Sequence, residues 1–240
     1  MANEERRAAG ETAGNGVGAI GPYLHLAGVD DGRMALGVVL AVPGDRPDPV
    51  VSTEAGASPG RVILRRGGWR VLRHEIALPC AAEAAYAVDG TRYAVNADVS
   101  GDLAIAYVSC NGQEHGDRGR SLGERNRMWT RLAGRHAERP LNLLLQGGDQ
   151  IYADEVLDAH PLARAWADGR ADRHADDPAA LAELADALAD AFLARYLALL
   201  AQPEIVALGA RVPTLAMWDD HDIVDGWGSL PPARLDSAVG

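Results

Sequence analysis

Leu141-Asn142-Leu143-Leu144-Leu145-Gln146-Gly147-Gly148-Asp149-Gln150-Ile151-Tyr152 opens as a nearly pure leucine run and breaks, through two glycines, into polar residues. An apolar run of this length, not alternating, predicts a strand over 141–145 covered on both faces, as in a parallel sheet. The same pattern recurs on either side. Residues 103–108 are apolar and end in Ser109-Cys110-Asn111-Gly112; residues 212–218 are apolar and end in Asp219-Asp220-His221-Asp222. Between the first two runs, Met128, Trp129 and Leu132 sit at helical spacing in 121–138. Between the second and third, a largely helical 154–208 carries Leu181, Leu184, Leu188, Phe192, Tyr196 and Leu199 at a three-to-four period. Strand, helix, strand, helices, strand predicts three parallel strands under covering helices.

Upstream the punctuation is that of β structure. Runs at 22–26, 34–42, 61–66, 69–78 and 85–95 are separated by Asp30-Asp31-Gly32, Gly67-Gly68 and Asp89-Gly90 turns. Residues 43–60, rich in Pro, Gly, Ser and Asp, are expected to form an exposed loop. Cys80 is expected to be a buried small apolar residue. Residues 1–18 carry no apolar period and read as a disordered tail. The expected organisation is thus a tail at 1–18, a small all-β, sandwich-like domain at 19–98 and an α/β domain at 99–240.

Composition narrows the chemistry. The 240 residues are 48% hydrophobic and 24% charged, within the globular range. Acidic residues outnumber basic ones 34 to 23, a net charge of −11, which argues against a nucleic-acid backbone or an anionic membrane as partner. All 23 basic residues are arginine. With no lysine there is no P-loop, no pyridoxal Schiff base and no Ser-Lys dyad. Two cysteines make neither a disulfide scaffold nor a four-thiolate zinc site. Arg6-Arg7 is followed by no apolar stretch, and no run of 18 apolar residues occurs, so the expected location is cytoplasmic.

The chemistry collects behind the three buried strands. In open α/β sheets, ligands bind outside the carboxyl ends of the strands. Three adjacent strands would therefore bring Cys110, Asp149 with Tyr152, and the Asp219–Asp222 cluster into one crevice. Cys, His, Asp and Tyr together are a metal-ligand inventory. Three carboxylates in four residues repel one another unless cations sit between them. Other motifs fail on spacing. An EF-hand loop with Gly226 sixth would end on Pro232 where an acid is required. A cysteine phosphatase would need arginine at Gly116, no Gly-x-Ser-x-Gly elbow occurs, and Gly14-Asn15-Gly16-Val17-Gly18 has no strand before it.

These blocks resemble a known family. Gly148-Asp149-Gln150-Ile151-Tyr152 is similar to the Gly-Asp-x-x-Tyr block of purple-acid-phosphatase-like metallophosphoesterases. Trp218-Asp219-Asp220-His221-Asp222 and Ser109-Cys110-Asn111 resemble blocks of their alkaline phosphatase D (PhoD-like) branch, as does a small β domain placed ahead. The resemblance implies an αββα metallophosphoesterase core, incomplete here, that hydrolyses phosphate mono- or diesters at a dinuclear or multinuclear centre of Fe3+ with Ca2+ or another divalent ion. Asp149 is implied as the bridging carboxylate, Tyr152 and Cys110 as ligands of the iron, and Asp220 as a ligand of the second metal. His221 is implied as the residue facing the substrate phosphate. Of Asp219 and Asp222, one is implied as a further ligand and the other as the group that orients His221. Asn111 and Arg118 are candidates for holding the phosphate. The family's further histidine blocks, such as Gly-His-x-His, do not occur after Asp222, so the chain reads as the N-terminal part of a longer enzyme, lacking the C-terminal half of the domain. A truncated, non-catalytic binding module is the alternative.

Overall fold

The computed structural model describes residues 18–113, 117, 119–170, 175–237 and 239. Two sheets carry the fold. Strands β1 (Ile20–Asp30), β2 (Arg33–Pro43), β5 (Gly60–Arg66) and β6 (Trp69–Pro79) are antiparallel neighbours; β9 (Ile105–Val108), β10 (Leu143–Gln146) and β11 (Thr214–Ala216) are parallel neighbours. All seven belong to one sheet in the order β5-β6-β2-β1-β11-β10-β9. The join is a parallel pairing of β1 with β11, His25 against Thr214. The second sheet holds β3 (Val51–Thr53), β4 (Gly56–Ser58), β7 (Ala84–Val88) and β8 (Thr91–Val95) in the order β4-β3-β7-β8.

The turns follow from their residues. Asp31-Gly32, Gly67-Gly68 and Asp89-Gly90 each connect a two-residue hairpin, and all six residues have positive φ. That is the type I′ geometry whose twist matches the flanking strands. Asp89-Gly90 thereby divides the expected single run at 85–95 into β7 and β8. The loop expected at 43–60 contains the β3–β4 hairpin, whose Ala57 and Ser58 carry too little apolar surface to mark a strand.

Alternation decides which face is covered. Met34, Leu36, Val38 and Leu40 of β2, with Leu72, Ile76 and Leu78 of β6, are buried on one side. Most of them pack with Val51, Tyr86, Val88 and Val95 of the second sheet. Half-buried Cys80 lies against this core. The sequence division near residue 98 is thus crossed by continuous hydrogen bonding in the larger sheet. Tyr86, 2% exposed, adds a second tie by donating from its hydroxyl to the Ala210 carbonyl at 2.8 Å. Tyr86→Phe leaves that carbonyl without its buried donor, and we expect a loss of about 1–2 kcal/mol in urea unfolding.

Helices cover the other face. They are α1 (Leu122–Arg125), α2 (Arg127–Glu138), α3 (Pro161–Ala167), α4 (Pro178–Leu200) and α5 (Pro203–Gly209), with a short α6 (Pro232–Leu235). The helix expected at 121–138 is broken at Asn126 into α1 and α2. Helix α4 starts with the Asp177 carboxylate accepting from the Ala179 amide and with Pro178 in the first turn, where its missing N–H costs nothing. Its Leu188, Phe192, Tyr196 and Leu199 meet Ile151, Ala153 and Ile205. Under α2 and α5, Leu144, Ala106, Val108 and Val212 form the core of the parallel part. The opposite face of that part is bare: Ile105, Tyr107, Leu215 and Met217 are exposed. Among the described residues, no helix is long and apolar enough to cross a membrane.

Candidate functional site

The carboxyl ends of β9, β10 and β11 lie side by side, and strand pairing continues beyond them. The Gly147 amide donates to the Val108 carbonyl at 2.8 Å, Cys110 N to Gly148 O at 3.2 Å and Asn111 N to Asp149 O at 3.0 Å. The chain then turns sharply, with Cys110 and Asp149 both at φ +54°. Asp and Asn tolerate this left-handed region better than most residues. Gly148, at φ +108°, makes the approach possible. A Cβ there would lie 2.4 Å from Asp219 Cβ and 2.9 Å from Asp219 N. Gly148→Ala therefore combines backbone strain with a collision that displaces Asp219, and we expect a loss of about 3 kcal/mol in chemical denaturation.

These turns converge on Asp149, which is 4% exposed. One of its oxygens accepts from the His221 amide at 3.2 Å and the other faces Cys110 Sγ at 3.4 Å. Asp149, Asp219 and Asp220 present ligand atoms within 4.8 Å of one another, as do Asp220, His221 and Asp225. Asp222 is buried beneath them. Its carboxylate accepts from Asp149 N at 2.8 Å, Ile151 N at 3.1 Å and Asp219 N at 3.1 Å. A single side chain thus fixes both the turn after β10 and the turn after β11. The Gly226 amide, donating to Asp220 at 2.7 Å, holds the Asp220 carboxyl below its usual range.

His221 is held from three sides. Its ring stacks on Tyr152 at 4.2 Å between centroids, its carbonyl accepts from Ala153 N, and Nδ1 donates to Asp154 Oδ2 at 2.7 Å. Burial lowers the imidazole pKa, but the Asp154 hydrogen bond and the charges of Asp154, Asp149 and Asp220 outweigh it and raise the value above the ordinary one. The other Asp154 oxygen accepts from Asp225 N at 2.8 Å. Asp154 was not singled out in the sequence. It stands two residues past Tyr152 in a 3-10 turn (Asp154–Ala159), where an acid also reads as ordinary first-turn chemistry. Its partner lies 67 residues away, so spacing carries no signal of the pair.

The remaining candidates divide. Asn111 bridges the loop to its surroundings, accepting from Trp129 Nε1 at 2.7 Å and donating to Gln150 O at 3.2 Å, which leaves its second amide N–H. Arg118 lies outside the described residues. Behind the site, Gln113, 3% exposed, donates to Asn126 and accepts from Gln202, while Arg195 spans the Gln113 and Tyr152 carbonyls. This buried network pins the loop after β9 against α2, α4 and α5.

The profile of PhoD-related phosphatases matches residues 90–239, more than half of the chain and all of the strand ends above. The chain belongs to this PhoD-related phosphatase family. It is also 29% identical over 190 residues to an uncharacterized protein of Saccharomyces cerevisiae, a match covering 70% of this chain and 26% of that protein. Among solved structures, one described as the structure of PhoD aligns over 88% of this chain and 40% of its own, with a TM-score of 0.41 and 14% identity. The PhoD-related chain therefore spans about a quarter of the yeast protein and two fifths of the PhoD structure.

Proposed function

We propose that the strand-end cup is a metal centre for hydrolysis of phosphate mono- or diesters, within an αββα metallophosphoesterase-type core. The observation that carries this reading is the convergence of Asp149, Asp219 and Asp220 within 4.8 Å, beside an imidazole aimed by Asp154. The donor set fits such a group. Clustered carboxylates need a cation between them, and Cys110 Sγ lies against the same Asp149 carboxylate. The family resemblance implies Fe3+ on the thiolate and phenolate side, and carboxylates suit Ca2+ or another hard divalent ion. Asp149 would bridge two ions, with Cys110 and Tyr152 on one and Asp220 and Asp219 on the other. Bound there, a metal pair supplies a hydroxide at neutral pH and positive charge for the phosphate oxygens.

The chain's own residues do the rest. His221 donates a proton or hydrogen bond to the leaving oxygen, and Asp154 keeps the proton on Nδ1 and the ring in place. The second Asn111 N–H and Arg118 are donors for the phosphate. Asp222 holds the bridging residue by its backbone and leaves the Asp149 carboxylate free to ligate. Asp154→Asn retains an oxygen for one of the two donors and removes the charge. We expect hydrolysis to fall about 10–100-fold with metal content unchanged, as kinetics beside elemental analysis would show.

The reading itself is tested by elemental analysis of the purified chain with hydrolysis of p-nitrophenyl phosphate and its bis-ester. Near two metals per chain and turnover abolished by a chelator support it. A full metal complement with no turnover of either ester overturns the phosphoesterase assignment, and no metal at all overturns the centre.

A further inference from the structure

An apolar cavity lies away from the strand-end cup. It measures about 420 Å³ and runs between α4 and the outer face of β1, β2, β5 and β6. Its floor is Val39, Ala41 and Val71; its roof is Phe192, Leu193 and Leu197. Along α4 the lining extends from Ala189 to Leu200, about 16 Å of helix at the α-helical rise. That volume over that length leaves a bore one hydrocarbon chain wide. At one end stands Tyr23, whose hydroxyl donates to the Leu200 carbonyl. At the other end stands Arg66, the one charged residue in the lining, paired with Asp186 at 2.8 Å and Asp190 at 2.9 Å on α4.

We infer that this cavity is a binding site for the single alkyl chain of an uncharged amphiphile. Wall chemistry excludes a polar ligand body, because a polar group moved there loses its water partners and gains none. The cavity is half open to solvent, and a hydrocarbon chain laid along it would take that apolar lining out of water. The narrow bore selects a chain over a ring system. At the mouth, two carboxylates flank one guanidinium, so the local balance is negative and disfavours an anionic head. The chain's own N-terminus is a poor occupant. Met1-Ala2-Asn3-Glu4-Glu5-Arg6-Arg7 and the Ala, Gly, Glu and Thr that follow supply no large apolar run.

The test is titration of the full chain with dodecan-1-ol, read by calorimetry and by melting temperature, with dodecanoate as the charged counterpart. We expect saturable binding of one equivalent, a raised melting temperature and weaker binding of dodecanoate. Ala189→Phe puts a ring into the bore and should weaken binding at least about tenfold, while its own melting temperature is kept or raised as the cavity fills. Should that variant fail to fold, Val39→Phe fills the same bore from the sheet side. A Tyr107→Ser, Met217→Ser variant, changed only on the bare sheet face, should bind as the parent does. Absence of saturable binding overturns the site. So does binding that survives both filling variants or is lost in the bare-face variant. Binding that emerges only after deletion of residues 1–17 shows the tail to be the occupant and likewise overturns it. Tighter binding of dodecanoate overturns the uncharged head.

Discussion

Replacing Asp149 by asparagine is expected to cost the protein its metal before it costs the protein its fold. Asn has the same shape, tolerates the φ of +54° at this position, and keeps an oxygen for the His221 amide at 3.2 Å. The native turn is also secured independently, because Asp222 grips the backbone amides of Asp149 and Ile151. Loss of stability should therefore stay within about 1 kcal/mol. The charge between the proposed ions is gone, however, and a bridging group serves both of them. We expect bound metal to fall well below one equivalent and turnover to drop roughly a thousandfold, a size typical for loss of a group acting directly on transition-state charge. Elemental analysis and urea unfolding on the same sample separate the two effects. Retention of both metals by the Asn variant would refute the bridging assignment.

Asp222→Ala is expected to do the opposite and damage the fold first. Its two oxygens satisfy three amides, those of Asp149, Ile151 and Asp219, and the side chain is 5% exposed. Truncation leaves donors buried in a place that water enters poorly, at about 1–3 kcal/mol for each unsatisfied group. Part of that is offset, since the buried charge disappears with its own desolvation cost. The net expectation is a loss of about 3–5 kcal/mol in urea unfolding, with Asp222→Asn intermediate because it keeps one oxygen and turns an NH2 toward the other donors. A loss under about 1 kcal/mol would mean that the two turns hold themselves in place.

These two carboxylates show what a sequence can and cannot disclose here. Both were visible as acids at the ends of apolar runs, because a strand buried on both faces reads as an uninterrupted apolar run and its end stands out. Their division of labour was not visible. Which acid points into the cup and which caps the backbone depends on φ at Asp149 and on the approach of Asp219 to Gly148, neither of which leaves a periodic mark. Asp154 escaped for a related reason, since its contact with His221 exists only once the turns after β10 and β11 lie together. The β1–β2 and β5–β6 hairpins were legible from their Asp-Gly and Gly-Gly turns, where chemistry and geometry coincide at adjacent residues. The union of those strands with β9, β10 and β11 in one sheet was not, because periodicity specifies a strand's covered face and is silent on its neighbour.

That union has a consequence for how the chain comes to be folded. β1 lies between β2, its immediate successor, and β11, the last strand in sequence among the described residues. The tie from Tyr23 to Leu200 spans 177 residues, and that from Tyr86 to Ala210 spans 124. During synthesis the antiparallel strands can zip as successive hairpins, but one side of β1 must wait with its amides unpaired until Thr214, the partner of His25 and 189 residues beyond it, has emerged. Closing such distant pairs is entropically slow. The open side of β1 is thus the edge at which a nascent chain is most exposed to pairing with a stranger, and the arrival of β11 ends that exposure.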